Sequence, residues 1–379
     1  MTSALTREIS TCGLRIAYLA KRPIPSRHAN SVQIMRMCEA FAQLGHEVRL
    51  YATPGDPHDR SIHQQYGVEP NFSITSMPED RGLLYKWRFL LKLIHHADRE
   101  IDLFYGRDVL SLAAVAHLGR PLVFEAHQLP RRDSYKERVL AWLFARQNFS
   151  HLVCVSSTLA DQYVEHFPRL AAKSVLVAPS PAAEFTEPEY TAKLPGRDNV
   201  LRVGFVGRPY HGKGIEEIIL AAPQVPQLDF HIVGAAPSDL HWIENLVPAN
   251  VYLHGYVPPA EVPTYYRSFD IVVAPYGTRV MNLSRIESAA VTSPLKLVEY
   301  MAAGLPIIVS DLPGVLEIVD NDSALIIPAG DNEAFVGALR RLADDDEMRR
   351  RLGRAARQRH RERYTTKARA RSVLANLTN

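Results

Sequence analysis

Short apolar runs alternate with amphipathic stretches along most of the chain. LRIAYLA (Leu14–Ala20) is apolar nearly throughout and is followed by turn residues, the pattern of a buried strand. VQIMRMCEAFAQLG carries apolar residues at helical spacing and stops at Gly45. HEVRLYA, DLFYG, PLVFEA and HLVCVS continue the strand series with helical segments between them. Strand alternating with helix predicts a parallel sheet covered on both faces. The rhythm breaks over Ala178–Asn199, which is proline-rich and aperiodic and reads as a linker. It resumes with LRVGFVG, a helix from Ile215, LDFHIVG, VYLHG, DIVVAPY, LPIIVS and ALIIP. The expected class is α/β, with two doubly wound, Rossmann-like domains facing a central cleft. Their expected bounds are 1–180 and 200–360, with a linker over 181–199 and a C-terminal helix over 361–379 able to pack back on the first domain. Ligands of such sheets sit at the carboxyl ends of the strands, so two facing domains enclose the site.

Composition narrows the class. The 379 residues suffice for two ordinary cores, and 46% hydrophobic with 22% charged residues is the balance of a soluble globular protein. A net charge of +3 is too small to argue for a nucleic-acid partner. Cys12, Cys38 and Cys154 lie far apart with no metal-ligand spacing, which suits a reducing compartment. No apolar run approaches ~18 residues and the N-terminal stretch lacks a signal-like apolar core, so a cytoplasmic enzyme is expected.

GRPYHGKG, Gly207 to Gly214, nearly matches a phosphate-binding P-loop, but Gly214 stands where that loop needs a hydroxyl for magnesium. The segment follows a strand and precedes a helix, so a bound phosphate would meet backbone N–H groups, with Arg208 and Lys213 adding two cations. Such a pair suits a diphosphate held without a metal, and no Asp-x-Asp metal motif is expected anywhere in the chain. A tight strand-to-helix turn with two exposed cations is the alternative. A second block, SPLKLVEYMAAGLPIIVSD, places Lys296 in the first turn of a helix, against the helix dipole, and Glu299 one turn further. A nearby anionic ligand would account for that lysine, as would simple exposure to solvent.

Taken together, G-R-x-x-x-x-K-G, the SPLKL block and EVPTYYRSFDIVVAPY resemble the C-terminal half of retaining GT-B glycosyltransferases of family four, in their SPLKL-type branch. SRHANSVQIMRMCEAFAQLGHEV, FYGRD and VFEAH resemble the N-terminal half, so the likeness covers nearly the whole chain. The resemblance implies a C-terminal domain that binds a nucleoside-diphosphate sugar and an N-terminal domain that binds the acceptor. It gives the diphosphate to Arg208 and Lys213, the ribose hydroxyls to Glu299, further phosphate contacts to the backbone at Leu297 and Val298, and the base to Tyr256 and Val257. It places His127 near the reacting centre, and makes Arg107, Asp108 and Asn30 candidates for the acceptor side. No metal or other cofactor is implied.

The chain departs from the family pattern at two points. The first of two family glutamates, which contacts the transferred sugar, falls on Val291, with Glu287 the nearest carboxylate. The Gly-Gly loop after the first strand is replaced by SRHANS, whose Asn30 and Ser31 read as caps for the following helix. Arg107 and Asp108 are also placed to pair with each other, and Glu125 reads as structural. LLYKWRFLLKLIHH (Leu83–His96) interleaves Trp87, Phe89, Leu90, Leu93 and Ile94 with Lys86, Arg88 and Lys92. Such a helix suits either the domain core or the inner face of a membrane carrying a lipid-linked acceptor, with Arg131, Arg132 and Lys136 adding charge. The basic run from Arg349 to Arg371 reads as a solvated helix face. The expected activity is sugar transfer to a saccharide, lipid-linked or small-molecule acceptor. A nucleotide-sugar epimerase, and a non-catalytic subunit that Val291 would permit, are the alternatives.

Overall fold

A computed structural model describes residues 13–55, 60–77, 85–96, 100–170, 174–208, 210–234, 247–280 and 294–377. Side chains 85–88 are outside that description, as are Cys12, Glu287 and Val291, so the missing family carboxylate is not located.

Seven parallel strands make the first sheet: β1 (Arg15–Ile24), β2 (Glu47–Pro54), β3 (Ser73–Ser76), β4 (Leu103–Gly106), β5 (Leu122–Ala126), β6 (Phe149–Cys154) and β7 (Val175–Val177). Their order is β3-β2-β1-β4-β5-β6-β7, which reverses between β1 and β4. Six more strands make the second: β8 (Leu201–Val206), β9 (Leu228–Val233), β10 (Val251–His254), β11 (Ile271–Ala274), β12 (Ile307–Ser310) and β13 (Leu325–Ile327). Their order is β10-β9-β8-β11-β12-β13, with the reversal between β8 and β11. Each reversal opens a crevice at the strand ends, where the crossover helices part to opposite faces.

In the first domain the helices are α1 (Ala29–Gln43), α2 (Ile62–Tyr66), α3 (Tyr85–His96), α4 (Val109–Val115), α5 (Tyr135–Phe144) and α6 (Ser157–His166). The second has α7 (Ile215–Ala221), α8 (Val262–Tyr266), α9 (Leu295–Ala303), α10 (Pro313–Leu316), α11 (Asn332–Asp344) and α12 (Asp346–Arg363). The last helix, α13 (Thr366–Ala375), leaves that domain. Its Ala370 and Val373 are fully buried in the core that β1, β2 and α1 share.

Phe89, Leu90 and Leu93 of α3 also enter the first domain's core, while Leu91 and Ile94 stay exposed. The apolar side of α3 is thus shared between core and solvent. No helix among the described residues is long and apolar enough to cross a membrane.

The proline-rich connection forms no strand or helix but is pinned at both ends. Ala182 bridges Thr365, its carbonyl also lies against the His360 ring, and the Ala192 amide donates to the Thr264 carbonyl. Across the cleft rim, Arg60 pairs with Glu261 at 2.7 Å, and the Ser157 amide and hydroxyl both donate to Glu317.

Candidate active site

The second domain contributes the turn after β8. Gly207 adopts φ 145°, and a Cβ there would lie 3.3 Å from Lys296 Nζ, so the first turn of α9 is packed directly on this glycine. Gly212, at φ 75°, has no room for a side chain because the Arg279 carbonyl fills the position. Lys213 is half-buried rather than exposed, since Tyr210 folds back beneath it. The ammonium lies 5.0 Å from the Tyr210 ring centre, and Arg208 donates to the Tyr210 hydroxyl at 3.1 Å.

Lys296 completes a set of three cations. Its ammonium nitrogen is buried with no hydrogen-bond partner among the described residues and sits 3.6 Å from the Phe205 ring centre. Burial, reinforced by the charge of Lys213, pushes its pKa well below the usual lysine value against the pull of Glu299. Burial lowers Lys213 too. Among the described residues no carboxylate lies within ion-pair reach of Arg208, Lys213 or Lys296. Like charges brought together out of water without a counter-charge are costly, and an anion in the turn would relieve all three.

Glu299 accepts from the Tyr266 hydroxyl through Oε2 at 2.9 Å, and its Oε1 makes no hydrogen bond among the described residues. Burial raises this carboxyl, with Tyr266, Arg36 and Lys296 opposing. The Leu297 amide already donates to the Pro294 carbonyl at 3.0 Å. Pro294 is the cap of α9 rather than its first residue, so the open amides of the first turn are those of Leu295 and Lys296. Leu297 and Val298 themselves are buried in the domain core. Tyr256 is 37% exposed and carries the Arg27 guanidinium 4.9 Å over its ring, while Val257 is half-buried beside it. That stacking joins the two domains at the site assigned to the base.

The first domain contributes a buried polar hub at the end of β5. Glu125 takes four donors: the Tyr105 hydroxyl and Arg369 Nη1 (3.2 Å) on Oε2, and Gln33 Nε2 (2.9 Å) and His127 Nε2 (2.5 Å) on Oε1. Burial alone would raise this carboxyl, but Arg369, His127 and Arg107 hold it well below the usual range. A carboxylate only accepts, so Nε2 of His127 carries the proton and Nδ1 keeps a lone pair. Burial and Arg107 push His127 down to about 4 despite Glu125, so the ring is neutral near pH 7.

Several sequence assignments change here. Glu125, read as structural, is buried at the centre of this polar hub, an arrangement that strand alternation did not reveal. Arg107 turns to Gln33 (3.1 Å) and Glu125 (3.8 Å), not to Asp108. Asp108 caps α4, its Oδ2 accepting from the Ser111 amide and hydroxyl. The cap of α1 is His28, without a side-chain bond. Asn30 lies inside the helix, and the Ser31 hydroxyl donates to the His28 and Ser26 carbonyls. Two Asp-x-Asp spacings do occur, 320–322 and 344–346. Asp320 is engaged with Ser323 and Arg359, Asp345 caps α12 by accepting from the Met348 amide, and Asp346 pairs with Arg349 and Arg350. Among the described residues no cluster of three or more His, Cys, Asp or Glu could hold a metal.

Two family models match the chain: glycosyl transferases group 1 over residues 201–345, and glycosyltransferase family 4 over residues 31–182. A putative teichuronic acid biosynthesis glycosyltransferase, TuaH, of Bacillus subtilis is 34% identical over 122 residues, 32% of this chain and 29% of its own. A D-inositol 3-phosphate glycosyltransferase of Corynebacterium diphtheriae is 27% identical over 168 residues, 41% of this chain and 37% of its own. The matches thus span about a third of those relatives' length. Among solved structures, Anabaena Alr3699/HepE in complex with UDP and glucose superposes with a TM-score of 0.74 at 16% identity, covering 97% of this chain and 100% of that one. Sucrose-phosphate synthase of Thermosynechococcus elongatus gives 0.71 at 19% identity, covering 96% and 98%. These likenesses show a shared fold.

Proposed function

Because the chain belongs to the GT-B glycosyltransferases of family four, group 1, we propose that it transfers a sugar, with retention, from a nucleoside-diphosphate donor to an acceptor hydroxyl in glycan or polysaccharide biosynthesis. The observation that carries this reading is the convergence of Arg208, Lys213 and the unpartnered Lys296 on one glycine turn. A leaving diphosphate develops negative charge there, and preorganised cations stabilise it without a metal. Glu299, whose Oε1 makes no hydrogen bond among the described residues, takes the ribose hydroxyls, and Tyr256 with Val257 borders the base.

The acceptor lies toward the first domain. The Nδ1 lone pair of neutral His127 accepts a hydrogen bond from a sugar hydroxyl there, and Arg107 borders the same pocket. No side chain is assigned as a nucleophile, so retention proceeds by front-face attack, with a donor phosphate oxygen receiving the acceptor proton. The ligands of the Anabaena structure, UDP and glucose, are compatible with such a cleft. A lipid-linked acceptor would bring the protein to the inner face of a membrane, where the exposed Leu91 and Ile94 lie on the first domain.

Calorimetry with a panel of nucleoside diphosphates, with and without chelator, tests the donor half. Binding of one of them without added metal, lost in Lys213→Ala, is expected. A strict requirement for magnesium or manganese would overturn the phosphate site.

A further inference from the structure

We propose that Arg369 on α13 is a positioning residue for His127: its guanidinium keeps Glu125 ionised, and the ionised carboxylate fixes the tautomer and orientation of the imidazole. The proposal rests on the reading that His127 serves the acceptor side of the site.

The two oxygens of Glu125 divide the work. Oε2 faces Arg369 and Tyr105, and Oε1 faces Gln33 and His127. The Arg369 and Glu125 side chains are 3% and 0% exposed, so little water screens the pair. Arg369 is held by a second bond, from its Nε to the Ala178 carbonyl at 3.2 Å. An ionised Glu125 can only accept, which obliges His127 to present Nε2–H to it and leaves Nδ1 open. A protonated Glu125 would carry a donor of its own, and either ring tautomer would then fit.

A purely structural anchor would not be built this way. Arg369 Nη2 has no hydrogen-bond partner, and the Tyr18 hydroxyl, whose field reaches Arg369, has none either. Apolar side chains of similar size fill such space at lower cost than a buried charge with an unused donor. The arrangement makes sense if the charge itself is needed. The charged and titratable groups facing His127 are Glu125, Arg107 and Arg369, and Glu125 faces Tyr105 and Tyr18 as well. Arg369 lies 244 residues after Glu125 in the chain, on a helix that follows the second domain yet packs on α1 of the first. The first domain's half of the site is therefore completed by the end of the fold.

Glu125 and His127 titrate as a coupled pair, and the charge of Arg369 opposes proton uptake by either member. Nitrogen-15 histidine NMR of the full chain, with His127 assigned by its disappearance in His127→Asn, reads this directly. The wild type is expected to show the Nε2–H tautomer down to acidic pH. Arg369→Gln is expected to raise the pH of proton uptake by at least one unit and to mix the tautomers. Arg369→Lys keeps the charge but loses the two-point hold, and is expected to shift the step in the same direction by less than half as much. The acid limb of kcat should move with the NMR step, with the KM for donor little changed. An unmoved His127 titration and tautomer in folded Arg369→Gln would overturn the proposal. So would a shift of one unit or more in Arg369→Lys, which keeps the charge, and the lysine variant decides on that criterion if the glutamine variant does not fold. Should the signals shift while His127→Asn transfers sugar at the wild-type rate, the coupling stands and the role of His127 in the site falls.

Discussion

The two strand-end clusters that face each other across the cleft are built on opposite electrostatic terms. In the first domain every oxygen of Glu125 is occupied by protein donors, and the charges of Glu125 and Arg369 cancel locally. In the second domain three cations converge, and Lys296 lies against the Phe205 and Tyr276 rings and Gly207, with no hydrogen-bond partner among the described residues. The first cluster is finished by folding. The second is left with excess positive charge that folding does not neutralise, and that imbalance points to an anionic ligand. Stability should therefore reside in the first cluster and ligand affinity in the second.

The sharpest way to break this comparison is Glu125→Gln. Neutralising the carboxylate strands the Arg369 charge in the interior and sets an amide against surrounding donors. Loss of one partner of a buried pair costs about 3–5 kcal/mol, so a large fall in denaturant midpoint is expected. A midpoint within experimental scatter of the wild type would show that the hub does not support the fold. The pH dependence carries the same sign. Because the folded Glu125 carboxyl lies well below the ordinary value of 4.5, its contribution to stability is fully present above that value. It is lost as pH falls through the lower, folded value, so Glu125→Gln should flatten the acid limb of the stability curve.

Lys296→Met is the matching change in the second cluster, with the opposite outcome. It removes an unpartnered buried amine, so stability should hold or rise. Nucleoside-diphosphate affinity should fall about 10–100-fold, the worth of a hydrogen bond between charged groups at roughly 1.5–3 kcal/mol. Calorimetry and thermal melts on the same protein check both halves, and a destabilised variant with unchanged affinity would invert the comparison.

The state of Lys296 gives a smaller but more specific signal. In the free protein its pKa is well below 10.5, so its folded form binds fewer protons than the unfolded chain over that window. Stability linked to it is present above the ordinary lysine value and lost as pH falls through the folded one. A bound diphosphate reverses the shift by stabilising the ammonium. Binding should therefore take up protons, increasingly so as pH rises, seen as a buffer-dependent calorimetric enthalpy that vanishes in Lys296→Met. A buffer-independent enthalpy in the wild type across that range would mean that Lys296 does not meet the phosphates.

The sequence legibility of the two clusters differs for a physical reason. Gly207, Arg208, Lys213, Lys296 and Glu299 lie in two short segments that carry the family resemblance, so their grouping was expected from that resemblance before the fold was known. The strand–helix alternation was readable because its spacing is local, except for β3 and β7, which are short edge strands with half-exposed patterns. The hub was not readable, because Gln33, Tyr105, Glu125 and Arg369 come from four distant elements joined only by packing. Alternation placed Glu125 on a face of β5 but carried no information on what that face would meet. Lys213 was expected in solvent because nothing in GRPYHGKG shows Tyr210 folding under it. Asp108 was the opposite case. An aspartate directly before the run VLSLAAV is a helix cap by its position, and the structure uses it as one.

The smallest expected effect comes from repeating the carboxylate-to-amide change at Glu299, which sharpens the comparison by holding the chemistry constant. In the wild type Glu125 is surrounded by groups that donate to it, so the NH2 of a glutamine there finds an acceptor only if the Tyr105 hydroxyl or the His127 ring changes role. Glu299 has one donor, the Tyr266 hydroxyl, on Oε2, and nothing on Oε1 among the described residues. A glutamine at 299 can keep its carbonyl on Tyr266 and turn its NH2 toward the ligand, where a ribose hydroxyl oxygen accepts as readily as its proton donates. What is lost is the charge assistance of one contact and its pull on Lys296. About 1 kcal/mol, roughly five-fold in nucleoside-diphosphate affinity, is the expected loss, with retention of configuration unchanged. Glu299→Ala removes both acceptors and should lose more than the glutamine variant, since the free diphosphate still carries the ribose. The fold should tolerate both, because burial already raises the Glu299 carboxyl and no buried cation depends on it as an ion-pair partner. If the alanine variant binds the nucleoside diphosphate as tightly as the wild type, Glu299 is not a ribose ligand. The second cluster would then consist of its cations alone.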